Sequence, residues 1–302
     1  MPRILFAPIK QNEYSEMPVT PLRLLVLTRD NIAQFKQGAD ELVAFLRAQP
    51  NVELVEAPSS PDCELSGVNV DFVLVLGGDG TILRACHRLG RNQMPILGVN
   101  FGRLGFLADL TPAEFRETFP LLLQRQFRIV DHLMFECELH RQDGSVEVFL
   151  GLNEVIVGAA KTLQMIEVRL TIDERPVATY SCDGLIVSTP VGSTAHSLSA
   201  GGPMLRKNLM AFVITPICPH TLSNRPLVDD AECVYSLSLT ETSNDALLVV
   251  DGQHRRQLKS GDVVRVKRAP VTFKLLELPG RNYYATLHRK LGWSGQPLYP
   301  TR

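Results

Sequence analysis

Residues 72–89 read FVLVLGGDGTILRACHRL, from Phe72 to Leu89. Phe72 to Leu76 is a short, wholly apolar run, as expected of a central strand buried on both faces of a parallel sheet. Thr81 to Leu89 reads as a helix, and Gly90 is its stop. Between them lies Gly77-Gly78-Asp79-Gly80-Thr81. Strand ends in open α/β sheets are where ligands bind. Three glycines in four positions let the backbone approach a ligand closely, and the free N–H groups at the helix start can hold a phosphate. A carboxylate in such a loop would repel phosphate unless it served a metal ion or took the proton of an attacking hydroxyl. A tight strand–helix turn with Asp79 as N-cap uses the same residues. The string is neither a P-loop nor G-x-G-x-x-G.

Outward from this loop the same alternation continues. Leu22 to Thr28 reads as a strand, with Asp30 or Asn31 as cap for a helix carrying Ile32, Phe35, Ala39, Leu42, Val43 and Leu46 at helical spacing. Pro50 ends that helix. Val52 to Val55 and Ile96 to Val99 are further strands. Residues 1–125 therefore read as an α/β domain with an open, mostly parallel sheet. Near residue 126 the pattern changes. Leu133 to His140 and Val146 to Leu150 flank Asp143-Gly144, a hairpin signal. Strands follow at 153–157, 165–172, 177–180, 185–189, 234–239, 246–250, 263–266 and 271–275, with Asp251-Gly252 as another turn. Residues 126–277 read as a mainly-β, sandwich-like domain.

The 302 residues suit two cores better than one. A net charge of −1 argues against a general nucleic-acid binder. Six cysteines, none in a C-x-x-C pair, fit reduced thiols better than a disulfide framework or a zinc site. No apolar run reaches the ~20 residues needed to cross a bilayer. The N-terminal MPRILFAPIKQNEYSEMP lacks the features of a signal peptide. A cytoplasmic protein is expected.

Two more stretches carry chemistry. Asn153-Glu154, in GLNEVIV, opens a strand. Asn offers a donor and an acceptor suited to a purine edge, and Glu can accept two ribose hydroxyls; a polar pair at a strand start is also an ordinary edge feature. Asp183 to Pro203, DGLIVSTPVGSTAHSLSAGGP, joins a strand, a Pro-Val-Gly turn, a hydroxyl-rich helix start and a Gly-Gly stop. Gly192-Ser193-Thr194 places small donors at a helix N-terminus, although such a loop is often a solvated turn. Ser193 is not in G-x-S-x-G, so no hydrolase elbow is formed.

Gly-Gly-Asp-Gly-Thr resembles the loop shared by NAD kinases, diacylglycerol and sphingosine kinases and, in related form, phosphofructokinases. Asn153-Glu154 and the string from Asp183 to Pro203 narrow the resemblance to NAD kinases. So do GVNFGRLGFL (98–107), PHTLSNRP (219–226) and the closing YYATLHRKLGWSG, and the likeness runs from about residue 22 to 296. The resemblance implies phosphoryl transfer from ATP or polyphosphate to the adenosine 2′-hydroxyl of NAD, with Mg²⁺ bridging the donor phosphates. It implies Asp79 as base, with backbone amides of Gly77, Gly78, Gly80 and Thr81 on phosphate. Asp79, Gly80, Phe106, Asn153, Glu154, Asp183, Thr194, Ala195, His196 and Ser199 would contact NAD, Asp183 near a nicotinamide ribose or amide across a subunit boundary. The family usually carries Tyr where this chain has His196. The resemblance also implies a homodimer or homotetramer, and suggests that the tail 278–302 packs back on the first domain. His220 and Arg225 are expected to fix their loop rather than to hold phosphate. A lipid or sugar-phosphate kinase, or an NAD(P) sensor without turnover, are the other readings; a sensor has no need of Asp79. Because asparagine caps about as well as aspartate, Asp79→Asn is expected to leave the fold intact.

Overall fold

The computed structural model describes residues 20–28, 33–55, 65, 67–102, 105–161, 164–221, 224–240, 246–281 and 283–292. The expected caps Asp30 and Asn31, with Ile32, Cys63, Arg103, Leu104, Leu222, Ser223, Trp293 and the N-terminal stretch, lie outside these residues, as does the side chain of Phe35.

The first elements are β1 (Leu22–Thr28), α1 (Ala33–Arg47), β2 (Val52–Val55), β3 (Phe72–Leu76), α2 (Asp79–Leu89), β4 (Ile96–Val99) and α3 (Pro112–Leu123). Their strands form a parallel sheet in the order β2-β1-β3-β4. Every residue of β3 is buried, because the sheet is covered on both sides. Val73 and Val75 pack with Ile82, Ala85 and Leu89 of α2. Phe72, Leu74 and Leu76 pack with Leu42 and Leu46 of α1 and Phe115 and Phe119 of α3. Helix α3, for which the sequence reading gives no element, starts on a capping box between Thr111 and Glu114 with Pro112 in its first turn. Its internal Pro120 obscures the periodicity.

The second half contains β5 (Arg128–His140), β6 (Val146–Gly151), β7 (Glu154–Ala159), β8 (Ile166–Ile172), β9 (Arg175–Cys182) and β10 (Gly184–Ser188). A 3-10 turn (Gly192–Thr194) and α4 (His196–Ser199) follow. Then come β11 (Ala211–Ile217), β12 (Leu227–Asp230), β13 (Tyr235–Leu239), β14 (Ala246–Val250), β15 (His254–Leu258), β16 (Val263–Glu277) and α5 (Tyr283–Leu291). One sheet runs β12-β11-β10-β7-β14-β15, and it faces β5, β8, β13 and β16 across a shared core. Phe135, Val168 and Tyr235 meet Val157, Val187, Phe212 and Leu248 there, which makes the sandwich. Strand β11 was hidden in the sequence by Pro216, which demotes a run to an edge or a loop although here it sits in register with Leu185. Strands β12 and β15 are too short and polar to carry an apolar alternation of their own.

The two halves are joined through β16. The sequence reading divides this stretch into two strands, at 263–266 and 271–275. It is one strand of 15 residues whose register against β5 shifts between Arg268 and Thr272, around Pro270, which has no N–H to give the ladder. Its first part pairs antiparallel with β13, and Leu275 pairs parallel with Ile96 of β4. The parallel sheet and half of the sandwich are therefore one ten-stranded sheet. Phe273 is completely buried in the core that α2 covers. Phe273→Ala should lower unfolding free energy by ~3–5 kcal/mol, measured by denaturant titration; a loss below ~1 kcal/mol would show that β16 does not hold the halves together.

Candidate active site

At the end of β3 the chain turns at Gly77, whose φ is +154°. A side chain here would overlap Thr81 Oγ1, so only glycine fits. Of the four amides expected to hold phosphate, two are already used: Gly77 donates to Val99 O at 2.8 Å and Thr81 to Gly78 O at 2.8 Å. Among the described residues the amides of Gly78, Asp79 and Gly80 donate to no backbone carbonyl in the turn and stand at the open N-terminus of α2, so they are the donors an anion would meet.

Asp79 does not cap its own helix. The N-cap is Gly78, and no side chain caps it. The Asp79 carboxylate instead reaches across to the segment after β4 and accepts from Phe106 N (2.7 Å), Leu107 N (2.9 Å) and Ala108 N (2.9 Å). Any side chain at Gly105 would collide with Asp79 Oδ1. A carboxylate has about four lone-pair positions. Three are occupied, which leaves one for a substrate hydroxyl. The expectation that asparagine would replace Asp79 without structural cost is thereby corrected, since an amide oxygen cannot receive three N–H groups.

The same device recurs at Asn153-Glu154. Asp251, buried in the turn between β14 and β15, accepts from Leu152 N (2.7 Å), Asn153 N (2.8 Å) and Glu154 N (2.9 Å). His87 of α2 bonds the other side of that carboxylate, with Nε2 2.8 Å from Oδ2. Thr189 N donates to Asn153 O at 2.9 Å, and a side chain at Gly192 would overlap that carbonyl. Neither Asp251 nor His87 was expected in the site. Asp251-Gly252 is visible in the sequence as a turn, but only the pairing of β14 with β7 brings that turn against Leu152 to Glu154.

Glu154 is 2% exposed. Its Oε1 lies 2.7 Å from His196 Nδ1, and its buried Oε2 has no hydrogen-bond partner among the described residues. Burial pushes the Glu154 carboxyl above its usual range, against the pull of His196. The bond to Glu154 pushes His196 up in turn. His196 is thus a partner of Glu154, and most of its side chain stays open to solvent. Thr194 donates its hydroxyl to Val191 O, Ala195 joins the 3-10 turn to α4, and Ser199 is exposed on α4. Asn153, Glu154, Thr194, Ala195, His196 and Ser199 thus cluster where β7 begins and β10 ends, since Ser188 pairs with Glu154.

Asp183 is not part of that cluster. It precedes the opposite end of β10, whose first residue Gly184 pairs with Gly158. Four residue steps along a strand separate the two ends, roughly 13 Å. Within one chain, then, Asp183 stands apart from Glu154. Phe106 is buried under the ammonium of Lys290, 4.5 Å from its ring centre. His220 and Arg225 are exposed, the first donating its amide to Ser181 O and the second its guanidinium to Asn224 O.

The family model of the ATP-NAD kinase N-terminal domain matches residues 31–127, and that of the C-terminal domain matches residues 152–278. The NAD kinase of Rhodopirellula baltica is 49% identical over 248 residues, 82% of this chain and 80% of that protein. The NAD kinase of Geotalea daltonii is 37% identical over 263 residues, 84% of this chain and 93% of its own. Yeast NADH kinase, solved with NADH, superposes with a TM-score of 0.83 at 23% identity, covering 94% of this chain and 91% of that one. An NAD kinase from Archaeoglobus fulgidus, solved with ATP, gives 0.72 at 27% identity, covering 90% and 99%. The chain belongs to the NAD kinase family.

Proposed function

We infer that the family's reaction, phosphorylation of NAD to NADP, runs at the N-terminus of α2, with Asp79 receiving the proton of the adenosine 2′-hydroxyl. The observation that carries this reading is the single lone-pair position left on a carboxylate otherwise locked by three amides. A base held this way needs no reorganisation as the proton arrives. The amides of Gly78, Asp79 and Gly80 take oxygens of the transferred phosphoryl group. Asn153 and Glu154 hold the adenosine end of NAD, Glu154 through the oxygen that lacks a partner. ATP, found in the Archaeoglobus fulgidus relative, is the donor.

Mg²⁺ would come bound to the nucleotide donor. Among the described residues no group of three or more His, Cys, Asp or Glu side chains could hold a metal ion, and the crowding of Asp79 fits an ion carried by phosphate oxygens and water. When bound, it supplies charge neutralisation of the donor phosphates. A homo-oligomer would let Asp183, which lies five residue steps or roughly 16 Å along β10 from the residue paired with Glu154, act on the dinucleotide of a neighbour. A cytoplasmic setting is supported by the absence, among the described residues, of a helix long and apolar enough to cross a membrane.

The test is turnover of purified protein with ATP, Mg²⁺ and NAD, with NADP read by a coupled dehydrogenase. In that assay Asp79→Asn should fall at least ~10²-fold, and it should also lose ~1–3 kcal/mol of stability because one of three amides is left facing an NH₂ group. More than about a tenth of wild-type turnover would mean that less than ~1.4 kcal/mol of barrier depends on the carboxylate, and Asp79 would no longer stand as the base.

The pair between Glu154 and His196 makes NAD binding depend on pH. His196 is raised in the folded protein, so the charged pair is complete below the ordinary histidine value of ~6.5 and is lost as pH rises through the higher folded value. The Michaelis constant for NAD should increase on the alkaline side of ~6.5, and His196→Gln should flatten that dependence. Steady-state kinetics between about pH 6 and about pH 8.5 decide it; an unchanged inflection in the variant would assign it to another group.

A further inference from the structure

On the far side of the segment that Asp79 grips lies a cavity of about 390 Å³, a volume typical of small-ligand sites. Asp79 does not line it, because the backbone of Phe106 and Leu107 stands between, and neither do Asn153, Glu154 or His196. Leu97, Leu275, Phe106 and Tyr283 supply its apolar lining. Buried polar groups are ordinarily hydrogen-bonded. Three polar side chains of this lining depart from that rule.

The first is Lys207, whose half-buried ammonium donates to Phe106 O and rests 5.7 Å from the Tyr283 ring centre. An ammonium has three donors, and one neutral carbonyl and a ring face do not compensate a charge withdrawn from water. Burial pushes it below the usual lysine range. The second is Asp109, half-buried, whose backbone carbonyl takes the Arg281 guanidinium while its carboxyl has no hydrogen bond or ion pair among the described residues. Burial pushes that carboxyl above its usual range, against the pull of Arg281, Lys207 and Arg289. The third is His132, buried, with Nδ1 3.1 Å from Lys207 O. A carbonyl only accepts, so Nδ1 carries the proton. Burial pushes the ring below the usual histidine range, which leaves Nε2 as a bare acceptor, and it has no partner among the described residues. Of the other cations in the lining, Arg128 is held by Glu277 and Arg281 by Glu114, whereas Arg206 is exposed and has no ion pair among the described residues. Lys207 and Arg206 therefore face Asp109 alone, and the balance favours an anion.

We propose that this cavity is an effector site for a small organic acid, one carboxylate carried on an aromatic or branched aliphatic body. The carboxylate would lie on the Lys207 ammonium with Arg206 at the rim, and the body would take the apolar lining. A hydroxyl on that body would satisfy His132 Nε2. The link to catalysis is the Phe106 peptide, whose C=O accepts from Lys207 and whose N–H donates to Asp79. An anion draws the ammonium off Phe106 O, and the freed peptide holds Asp79 less firmly. Occupation thus favours a state less able to take the substrate proton. That effect on turnover rests on the kinase reading given above; the binding itself does not.

Benzoate is the probe. Calorimetric titration of the whole chain should show saturable binding at one site. Lys207→Met keeps the aliphatic stem and removes the charge, and it should weaken benzoate about tenfold or more. Arg206→Gln, on an exposed side chain, should weaken it about threefold or more, and it carries the test if Lys207→Met fails to fold. Inorganic phosphate has charge but no apolar body, and it should bind about tenfold or more weakly than benzoate. In turnover with ATP, Mg²⁺ and NAD, benzoate should lower kcat and leave both Michaelis constants within about twofold. Absence of saturable benzoate binding, or equal binding in the folded variants, would remove the site. Phosphate bound as well as benzoate would reduce it to a patch of charge and overturn the organic-acid assignment. Competition with ATP or NAD would make the cavity part of a substrate site and overturn the effector role. Wild-type protein that binds benzoate but makes no NADP would instead overturn the kinase reading, a result distinct from any of these.

Discussion

Two aspartates, Asp79 and Asp251, each gather three consecutive backbone amides, and the cleft is built on that repetition. Hydrogen bonds to a charged acceptor contribute about 1.5–3 kcal/mol each. Ordering the backbone costs about 1–2 kcal/mol per residue. Three such bonds are of the same size as the entropy of fixing three residues, so each carboxylate offsets the ordering of the segment it grips. Helix α2 links the two. Asp79 is its first residue, and His87, eight residues on, bonds Asp251. At 1.5 Å per residue the anchors are about 12 Å apart along one rigid rod. A shift of α2 would move both loops together, which ties the segment after β4 to the start of β7.

What was legible in the sequence was local. The apolar run Phe72 to Leu76, the glycines after it and the helix that follows are specified by neighbours, and they fold as read. The aspartate in that loop was visible too, but its three amide donors come from residues 27 to 29 positions away, and no local rule fixes which way a carboxylate in a Gly-rich turn will point. Asp251 and His87 were invisible for the same reason in stronger form. Their contacts span 97 to 99 and 164 residues, and they exist only because β14 pairs with β7 and α2 lies over β6. Proline misled in both directions. Pro216 and Pro120 concealed a strand and a helix, and Pro270 divided in the sequence what is continuous in the sheet.

The division into an α/β part and a β part holds for the cores and fails for the backbone. Three apolar clusters are distinct, yet β16 contributes to all of them: Val264 and Val266 to the sandwich, Phe273 and Leu275 to the α2 side, Leu276 to the opposite side. A strand that is common property of three cores cannot move as a hinge without disturbing each.

Glu154 and Asp251 show how one fold distinguishes a structural carboxylate from one meant for a ligand. Both are almost wholly buried, Glu154 at the start of β7 and Asp251 in the turn that follows the neighbouring β14. Asp251 has both oxygens filled by amides and a histidine, and nothing is left for substrate. Glu154 has one oxygen on His196 and one with no partner among the described residues. An unsatisfied buried acceptor costs about 1–3 kcal/mol, and the nearby charge of Asp251 adds to the burial that already raises its carboxyl. A structural residue under that cost would be better replaced by an apolar one of the same volume. On the proposed reading, a ligand that brings a donor to Glu154 Oε2 would recover that cost on binding, and one without such a donor would not, which is a source of selectivity.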